Sequence, residues 1–344
     1  MITLTLLLLL LTIAWFATRA ANRAAARNGL RRFRTLNASG KRRVPILIPV
    51  CNRPHYLAQV IEALSQMDGV DETVLIVSRD GRDPEVRDLV HGIAFTETIV
   101  LDHTRPLLGL VRPLWDSEHA ITSQIRFLLD FALNRLRMDG AVVLEDDVVP
   151  SKDAYRYFLW AFDHILNRAG CMTVTGHNLL SRADREQGFD PRDHPYALVR
   201  YRDGGRDAFS GWGWAITHDA WQRVGRPWPL MNWDLRLSQT QHRLGMVSYK
   251  PVLARTQHIG MEGINFTETP DNPKWRDMVL SSGVSGYDRE PVLLDRDPVP
   301  PRVVDTGRAG APPNERTRNR WRRRVVLAAV SALILLECWL YAFL

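Results

Sequence analysis

Three acidic side chains in a row, Glu145, Asp146 and Asp147, close an apolar run in the stretch "GAVVLEDDVVPS". Adjacent carboxylates repel one another, and at a buried strand end they persist only with a cation or several donors close by. Capping the next helix needs fewer groups, and Asp147 with Ser151 would do it. Hard divalent cations such as Mn²⁺ and Mg²⁺ choose oxygen ligands, commonly one or two carboxylates plus substrate phosphates. The triplet therefore points to a metal–diphosphate site. Two more polar clusters end apolar runs: "CNR" (Cys51–Arg53) after "VPILIPV", and "SRD" (Ser78–Asp80) after "ETVLIV".

These clusters need elements that hold them on one edge. Short β-branched runs at 44–50, 72–78, 95–102 and 141–147 alternate with helical patterns at 58–67, 85–93 and 117–137. Strands alternating with helices predict an α/β domain with a mainly parallel sheet. Ligands in such sheets bind outside the carboxyl ends of the strands, where all three clusters fall. Pro54 is suited to the first turn of the helix after "CNR". Beyond the acidic triplet, "SKDAYRYFLWAFDHIL" predicts a helix capped by Ser151, "CMTVTGHN" a strand, and "FSGWGWAITHDAWQRV" a strand leading into a helix.

In order along the chain, "VPILIPVCNRP", "VLIVSRDG", "AVVLEDDVVPSKDAYRYF" and "GWGWAITHDAWQRV" with the later "PWP" and "WD" resemble the N-acetylglucosaminyltransferase I family (glycosyltransferase family 13). The resemblance spans roughly Val44 to Phe266. It implies a GT-A nucleotide-sugar-binding fold, a UDP-N-acetylglucosamine donor, Mn²⁺ (or Mg²⁺) and inversion at the anomeric carbon. It also implies that Asp147 binds the metal, that Glu145 and Asp146 hold sugar and ribose hydroxyls, that Arg53 contacts the diphosphate and that Asp80 reads the uracil.

Inversion needs a base for the acceptor hydroxyl. Asp234 in "MNWDLRL" is the expected one, with Asp219 and Asp207 behind it. The family usually has an acidic pair here, whereas Asp234 is followed by Leu235. It also often has a histidine near the uracil, where this chain has Leu128 and Leu129. Trp212 and Trp214 in "GWGW" are divided between core and a sugar-stacking floor. His258 is divided between a buried structural histidine and a contact to phosphate or acceptor. A different donor on the same fold, UDP-galactose or UDP-glucose, and a non-catalytic sugar-nucleotide-binding protein are the alternatives. The acceptor is expected to be a glycan or a lipid-linked glycan.

The chain ends carry a different signal. Residues 2–18 and 325–344 are apolar runs of about the ~20 residues that cross a bilayer. Arginines 19–34 follow the first run and arginines 316–324 precede the second. The positive-inside rule then predicts a two-pass protein with its catalytic domain cytoplasmic and membrane lipids as partners. A lumenal domain of the secretory pathway behind an N-terminal signal anchor is the alternative. The expected layout is a span at 2–18, a basic linker at 19–43, the GT-A domain at 44–301, a basic linker at 302–324 and a span at 325–344.

Residues 1–43 hold nine Lys/Arg and no Asp/Glu, and residues 302–344 hold eight against three. With a net charge of +7 overall, the region between them is near −7. The basic excess thus sits in the end segments, and no nucleic-acid partner is expected. Three cysteines, Cys51, Cys171 and Cys338, make no disulfide framework.

Overall fold

Apolar β-branched runs without a polar break are stable in the middle of a sheet covered on both faces. Strands β1 (Ile46–Val50), β2 (Val74–Arg79) and β4 (Gly140–Val143) are such runs and are buried almost throughout. Strand β3 (Glu97–Asp102), at the sheet edge, is half-buried. The computed structural model describes residues 2–36, 41–105, 117–178, 198–203, 206–207, 209–226, 228–229, 232–251, 253–260 and 302–305. All lie in the first of two units, Met1–Thr306; the second, Gly307–Leu344, is outside the described residues.

β1 pairs in parallel with β2 on one side and β4 on the other, and β2 pairs in parallel with β3. Side chains alternate between the two faces, as the period of a strand requires. Ile46, Ile48, Leu75, Val77 and Val142 pack with helices α2 (Pro54–Ser65) and α3 (Pro84–His91) and with α5 (Ala154–Ala161). Leu47, Val74, Ile76, Ala141 and Val143 pack on the opposite face with α4 (Ser117–Leu129). The long helix expected at 117–137 loosens into π-helical turns at Asp130–Arg135. Ser151 does not cap α5: the preceding residue is Asp153, whose carboxylate accepts from Ser151 Oγ at 2.7 Å.

The second half of the sheet is mixed. β9 (Trp214–Thr217) runs antiparallel to both β4 and β6 (Cys171–Thr175). β10 (Val247–Pro251) is parallel to β6, and β7 (Leu198–Asp203) antiparallel to β10. β12 (Arg302–Asp305) lies parallel to β7 in a segment expected as linker. The order is β12-β7-β10-β6-β9-β4-β1-β2-β3, with β8 (Arg206–Asp207) on β7. A separate two-stranded sheet joins β5 (Val148–Pro150) to β11 (Thr256–His258). Helices α6 (His218–Val224) and α7 (Trp233–Arg243) complete the described part. The expected α/β class with a mainly parallel central sheet is what the chain adopts.

The N-terminal segment differs from expectation. Residues Ile2–Thr35 form one helix, α1, in which the apolar run continues unbroken into the arginine-bearing stretch. That stretch is packed on the domain. Ala26 is buried, and a Cβ on Gly29 would lie 2.4 Å from Leu101 Cδ2, so the small residue lets the helix approach β3. Asn22 Nδ2 donates to the Thr104 carbonyl at 2.9 Å, and Thr104 N–H returns a bond at 2.8 Å. Among the described residues no helix is long and apolar enough to cross a membrane. This corrects the two-pass reading with its cytoplasmic catalytic domain, and the membrane-lipid partner loses its support with it. The second apolar run, 325–344, lies outside the described residues.

Gly140 opens β4 where a Cβ would sit 2.1 Å from Phe162 Cε1 and 2.7 Å from the Ile216 carbonyl oxygen. Gly140→Ala is expected to cost about 1–3 kcal/mol by overpacking, seen as a lower urea midpoint at unchanged slope. An unchanged midpoint would mean that Phe162 swings clear.

Candidate active site

The acidic triplet lies in the turn between β4 and β5. Leu144 N–H still donates to Leu47 O at 3.0 Å, continuing the ladder with β1. The chain then folds back, with Val148 N–H on Glu145 O at 3.0 Å, and leaves the main sheet to pair with β11. That departure exposes the end of β1, where Cys51, Asn52 and Arg53 lead into α2 with Pro54 in its first turn.

Arg53 reaches across this gap. Its Nη1 donates to Asp147 Oδ2 at 2.5 Å and its Nη2 to Asp146 Oδ1. Both carboxylates are nearly inaccessible, while the Arg53 side chain is 28% exposed. One cation thus faces two buried anions. Burial chiefly pushes the Asp146 carboxyl up to about 6, against the pull of Arg53. Burial, then Asp147 and Asp146, raise Glu145 well above the carboxylate range. Burial opposes the charge on Arg53, but the two aspartates outweigh it and raise its pKa.

Asp147 also meets β11. Its carbonyl accepts Ile259 N–H at 2.9 Å, and His258 Nε2 stands 3.5 Å from Asp147 Oδ2. A Cβ on Gly260 would fall 2.4 Å from the same oxygen, so this chain crossing needs glycine. Asp147 Oδ1 is buried without a hydrogen-bond partner among the described residues. An orphaned carboxylate oxygen beside two other carboxyls is a hard-oxygen set suited to a divalent cation. Among the described residues no three His, Cys, Asp or Glu side chains are grouped to hold one alone.

The remaining predicted residues fall at several distances from this centre. Trp212 is half-buried and stacks on His258, with ring centroids 4.6 Å apart at 27°, and His177 meets its edge at 4.9 Å. Trp214 is fully buried and stacks on Trp233 at 5.7 Å. It belongs to the core, and the structure does not bring it to the site. Asp234 is exposed in the first turn of α7, with its Oδ1 on Leu235 N–H at 2.7 Å, and its charge contributes to raising the Glu145 pKa. Gly211 lies between them: a Cβ there would be 2.8 Å from the Trp233 ring and 3.7 Å from Glu145 Oε1. Asp219 is exposed beside Asp139 and Arg137, 3.5 Å from the Nδ1 of its neighbour His218, at the amino end of β4 and away from the triplet. Asp207 lies in β8 on the outer strand β7. Leu128 and Leu129 are fully buried core.

Asp80 follows β2 and is buried, with Arg105 Nε on both carboxylate oxygens at 2.9 and 2.7 Å and His103 Nδ1 at 3.7 Å. Arg105 and His103 were not anticipated, although "DHTR" ends its strand in the same way as the three clusters that were. Gln124 Nε2 donates to Val50 O at 3.0 Å and Ser78 O at 2.6 Å, tying the ends of β1 and β2 from α4. Behind β5, the buried Arg255 donates to Asp153 Oδ2 at 3.2 Å and lies over the Tyr157 ring. A lone arginine in "LARTQH" carries no sign of that role. His177 holds the Thr256 carbonyl at 3.1 Å, and burial lowers its pKa to about 3, so it stays neutral.

Clustered carboxylates closed by one arginine stand at the carboxyl ends of the parallel strands, where α/β sheets bind their ligands. The GNT-I family matches residues 15–269, most of the chain, and the protein belongs to that family. A 57-residue stretch is 42% identical to the Arabidopsis thaliana alpha-1,6-mannosyl-glycoprotein 2-beta-N-acetylglucosaminyltransferase, covering 17% of this chain and 13% of that curated relative's length. Distant likenesses in structure include a galactosyltransferase, LgtC, in complex with donor and acceptor sugar analogues (13% identity, 60% of this chain and 73% of that one, TM-score 0.38). They also include Mycobacterium tuberculosis glucosyl-3-phosphoglycerate synthase with Mn²⁺, UDP and glucosyl-3-phosphoglycerate (16%, 71% and 80%, TM-score 0.36). A cytidylyltransferase from Leptospira borgpetersenii is a third (10%, 73% and 99%, TM-score 0.38). TM-scores this low add no weight to the assignment.

Removing Arg53 would leave two buried carboxylates without their counter-charge. Arg53→Ala is expected to cost about 3–5 kcal/mol of stability in metal-free buffer. Added Mn²⁺ should restore more of the melting temperature in this variant than it adds to the wild type. Equal shifts in both proteins would show that the cation does not take over the role of the arginine.

Proposed function

We propose that the chain is a GT-A-type inverting glycosyltransferase. It transfers a sugar, N-acetylglucosamine from UDP-N-acetylglucosamine, to a hydroxyl of a glycan acceptor. The observation that carries this reading is the buried acidic turn, closed by Arg53 and holding the orphaned Asp147 oxygen, at the carboxyl edge of the parallel strands. Family membership supports it.

In this reading Asp147 would hold Mn²⁺ or Mg²⁺, which would supply positive charge against the leaving diphosphate. Arg53 then turns from its aspartates to the diphosphate and stabilises the charge that develops on it. Glu145 and Asp146 accept hydrogen bonds from the sugar and ribose hydroxyls. Asp80 serves the nucleoside end of the same edge.

Asp234, exposed and across from Glu145, takes the proton of the acceptor hydroxyl. The acceptor oxygen forms its bond to the anomeric carbon as the bond from that carbon to the phosphate oxygen breaks. UDP leaves from the opposite face. Trp212 and His258, stacked beside Asp147, border the sugar.

Leu128 and Leu129 stand where the family usually has a histidine near the uracil and are fully buried core, so neither supplies a polar contact to the base of the donor. A screen of UDP-GlcNAc, UDP-Gal and UDP-Glc for Mn²⁺-dependent thermal shift and for transfer separates the donors. It also distinguishes an enzyme from a protein that only binds.

Two substitutions test the roles. Asp147→Ala is expected to abolish Mn²⁺-dependent donor binding, measured by calorimetry, while far-UV dichroism stays native. Unchanged affinity with Mn²⁺ would remove Asp147 from the site. Asp234→Asn is expected to lower transfer by roughly 10²–10⁴ with donor affinity retained. Transfer near the wild-type rate would place the base elsewhere.

A further inference from the structure

The ends of β1, β2 and β3 form a row. Val50 pairs with Arg79, and Arg79 with Asp102, so the next residues, Cys51, Asp80 and His103, are lateral neighbours just beyond the strands. Asp80 N–H donates to Val50 O and His103 N–H to Arg79 O, both at 2.8 Å, so the row keeps its order past the last paired residues. Arg105 arches back over it. Its Nε lies on both Asp80 oxygens, and its Nη2 donates to Cys51 Sγ at 3.2 Å. His103 stands 3.7 Å from Asp80 on the other side and is itself held by Ser123 Oγ of α4 at 3.3 Å.

This arrangement decides which group a ligand meets. The Asp80 side chain is 4% exposed and that of Arg105 32%. Approach to the carboxylate is therefore covered by the guanidinium. Arg105 spends Nε and Nη2 on Asp80 and Cys51, and its Nη1 has no partner among the described residues. The chemical consequence is a change of sign. A bare carboxylate would accept a hydrogen bond from an N–H of a base, whereas the pair as built offers a donor. A guanidinium donor suits carbonyl, ribose or phosphate oxygens.

Position narrows the choice. The acidic turn follows β4, and Asp80 follows β2, two strands further along the order β2-β1-β4. Neighbouring strands are about 4.8 Å apart, so the two centres stand on the order of 10 Å from each other along the edge. A diphosphate at Arg53 and Asp147 would leave its nucleoside to extend toward Arg105.

We propose that Arg105 is the residue that meets the nucleoside of the donor, through carbonyl or ribose oxygens, and that Asp80 is a positioning residue which acts through it. The proposal rests on the donor reading above and refines the part played by Asp80. Bound by Asp80 and Cys51, the guanidinium is held in place before a ligand arrives, so little side-chain freedom is lost on binding.

The test is calorimetry with UDP and, separately, inorganic pyrophosphate, both with Mn²⁺. The proteins are the wild type, Arg105→Ala, Arg105→Lys, Asp80→Asn and the double variant Asp80→Asn/Arg105→Ala. The double variant removes the carboxylate charge that Arg105→Ala alone would strand, so it remains informative if the single change unfolds the chain. Arg105→Ala is expected to weaken UDP by about 10- to 100-fold, as loss of a charged hydrogen-bond donor does. Asp80→Asn should weaken it comparably, and the double variant no further than about threefold beyond the worse single, because the two act as one unit. Arg105→Lys, with charge but without the fork that spans Asp80 and Cys51, should recover part of the affinity. Pyrophosphate affinity should be unchanged throughout.

UDP affinity in Arg105→Ala within about twofold of wild type would overturn the proposal, with a collapse in Asp80→Asn alone assigning the base contact to the carboxylate itself. Parallel loss of pyrophosphate binding would also overturn it, by showing a general collapse of the edge. Wild-type protein that bound pyrophosphate but no UDP would end the proposal as well. Wild-type protein that bound neither would remove the donor reading on which it rests.

Discussion

Two buried aspartates share one arginine, and the arrangement of the whole edge follows from that shortage of positive charge. Asp146 and Asp147 leave water almost completely, and Glu145 adds a third carboxyl beside them. Arg53 can satisfy the pair because β1 and β4 are parallel neighbours, which brings the turn after one strand against the turn after the other. A buried pair of this kind is costly to break and adds little net stability, since desolvation offsets the Coulomb gain. An arginine shared by two buried carboxylates, beside a carboxylate oxygen with no hydrogen-bond partner among the described residues, is the feature on which the proposed cation and diphosphate site rests.

The antiparallel strand β9 sets the limit of this edge. It pairs with β4 and β6 and ends the run of parallel strands, so β5 peels away from the main sheet and finds β11 instead. The small second sheet brings His258 and Gly260 against Asp147. Stacking of Trp212 on His258, with His177 at its edge, then builds an aromatic wall beside the carboxylates. The Arg255–Asp153 pair, buried behind β5 and joined to Ser151, fixes that wall from the rear. On the other side, Trp214, Trp233 and Trp228 stack in succession and anchor the start of α7, where Asp234 stands. Core tryptophans thus place a surface carboxylate.

The edge strand β3 would otherwise present an open side to solvent, which natural sheets tend to cover. Helix α1 does this with small residues. Ala26 and Gly29 allow close approach, while Arg32 pairs with Glu97 at 3.6 Å. The same arginines that resemble a membrane-flanking collar in composition are therefore carried by a helix docked on the domain.

Much of the layout was legible from local pattern. Unbroken β-branched runs led to buried parallel strands, and the polar clusters at their ends fall together on one edge of the sheet, because strand period and topology tie those positions together. Glu145, Asp146, Asp147, Arg53 and Asp80 were all placed on that edge by that logic. Arg255, His177 and Gln124 were not, since each acts on a partner far away in sequence and its own neighbours carry no periodic mark. Trp214 and Trp212 illustrate the difference most simply. They are two residues apart in one motif, yet one is sealed in the core and the other stacks on His258 beside Asp147, and only the pairing of β9 decides between them. The same holds for the basic N-terminal stretch, whose composition suits a membrane flank and a docked helix equally well. Composition and spacing determined which chemistry this chain can carry; long-range packing decided which groups share a charge, and therefore that Asp80 stands behind Arg105 and Asp147 beside Arg53.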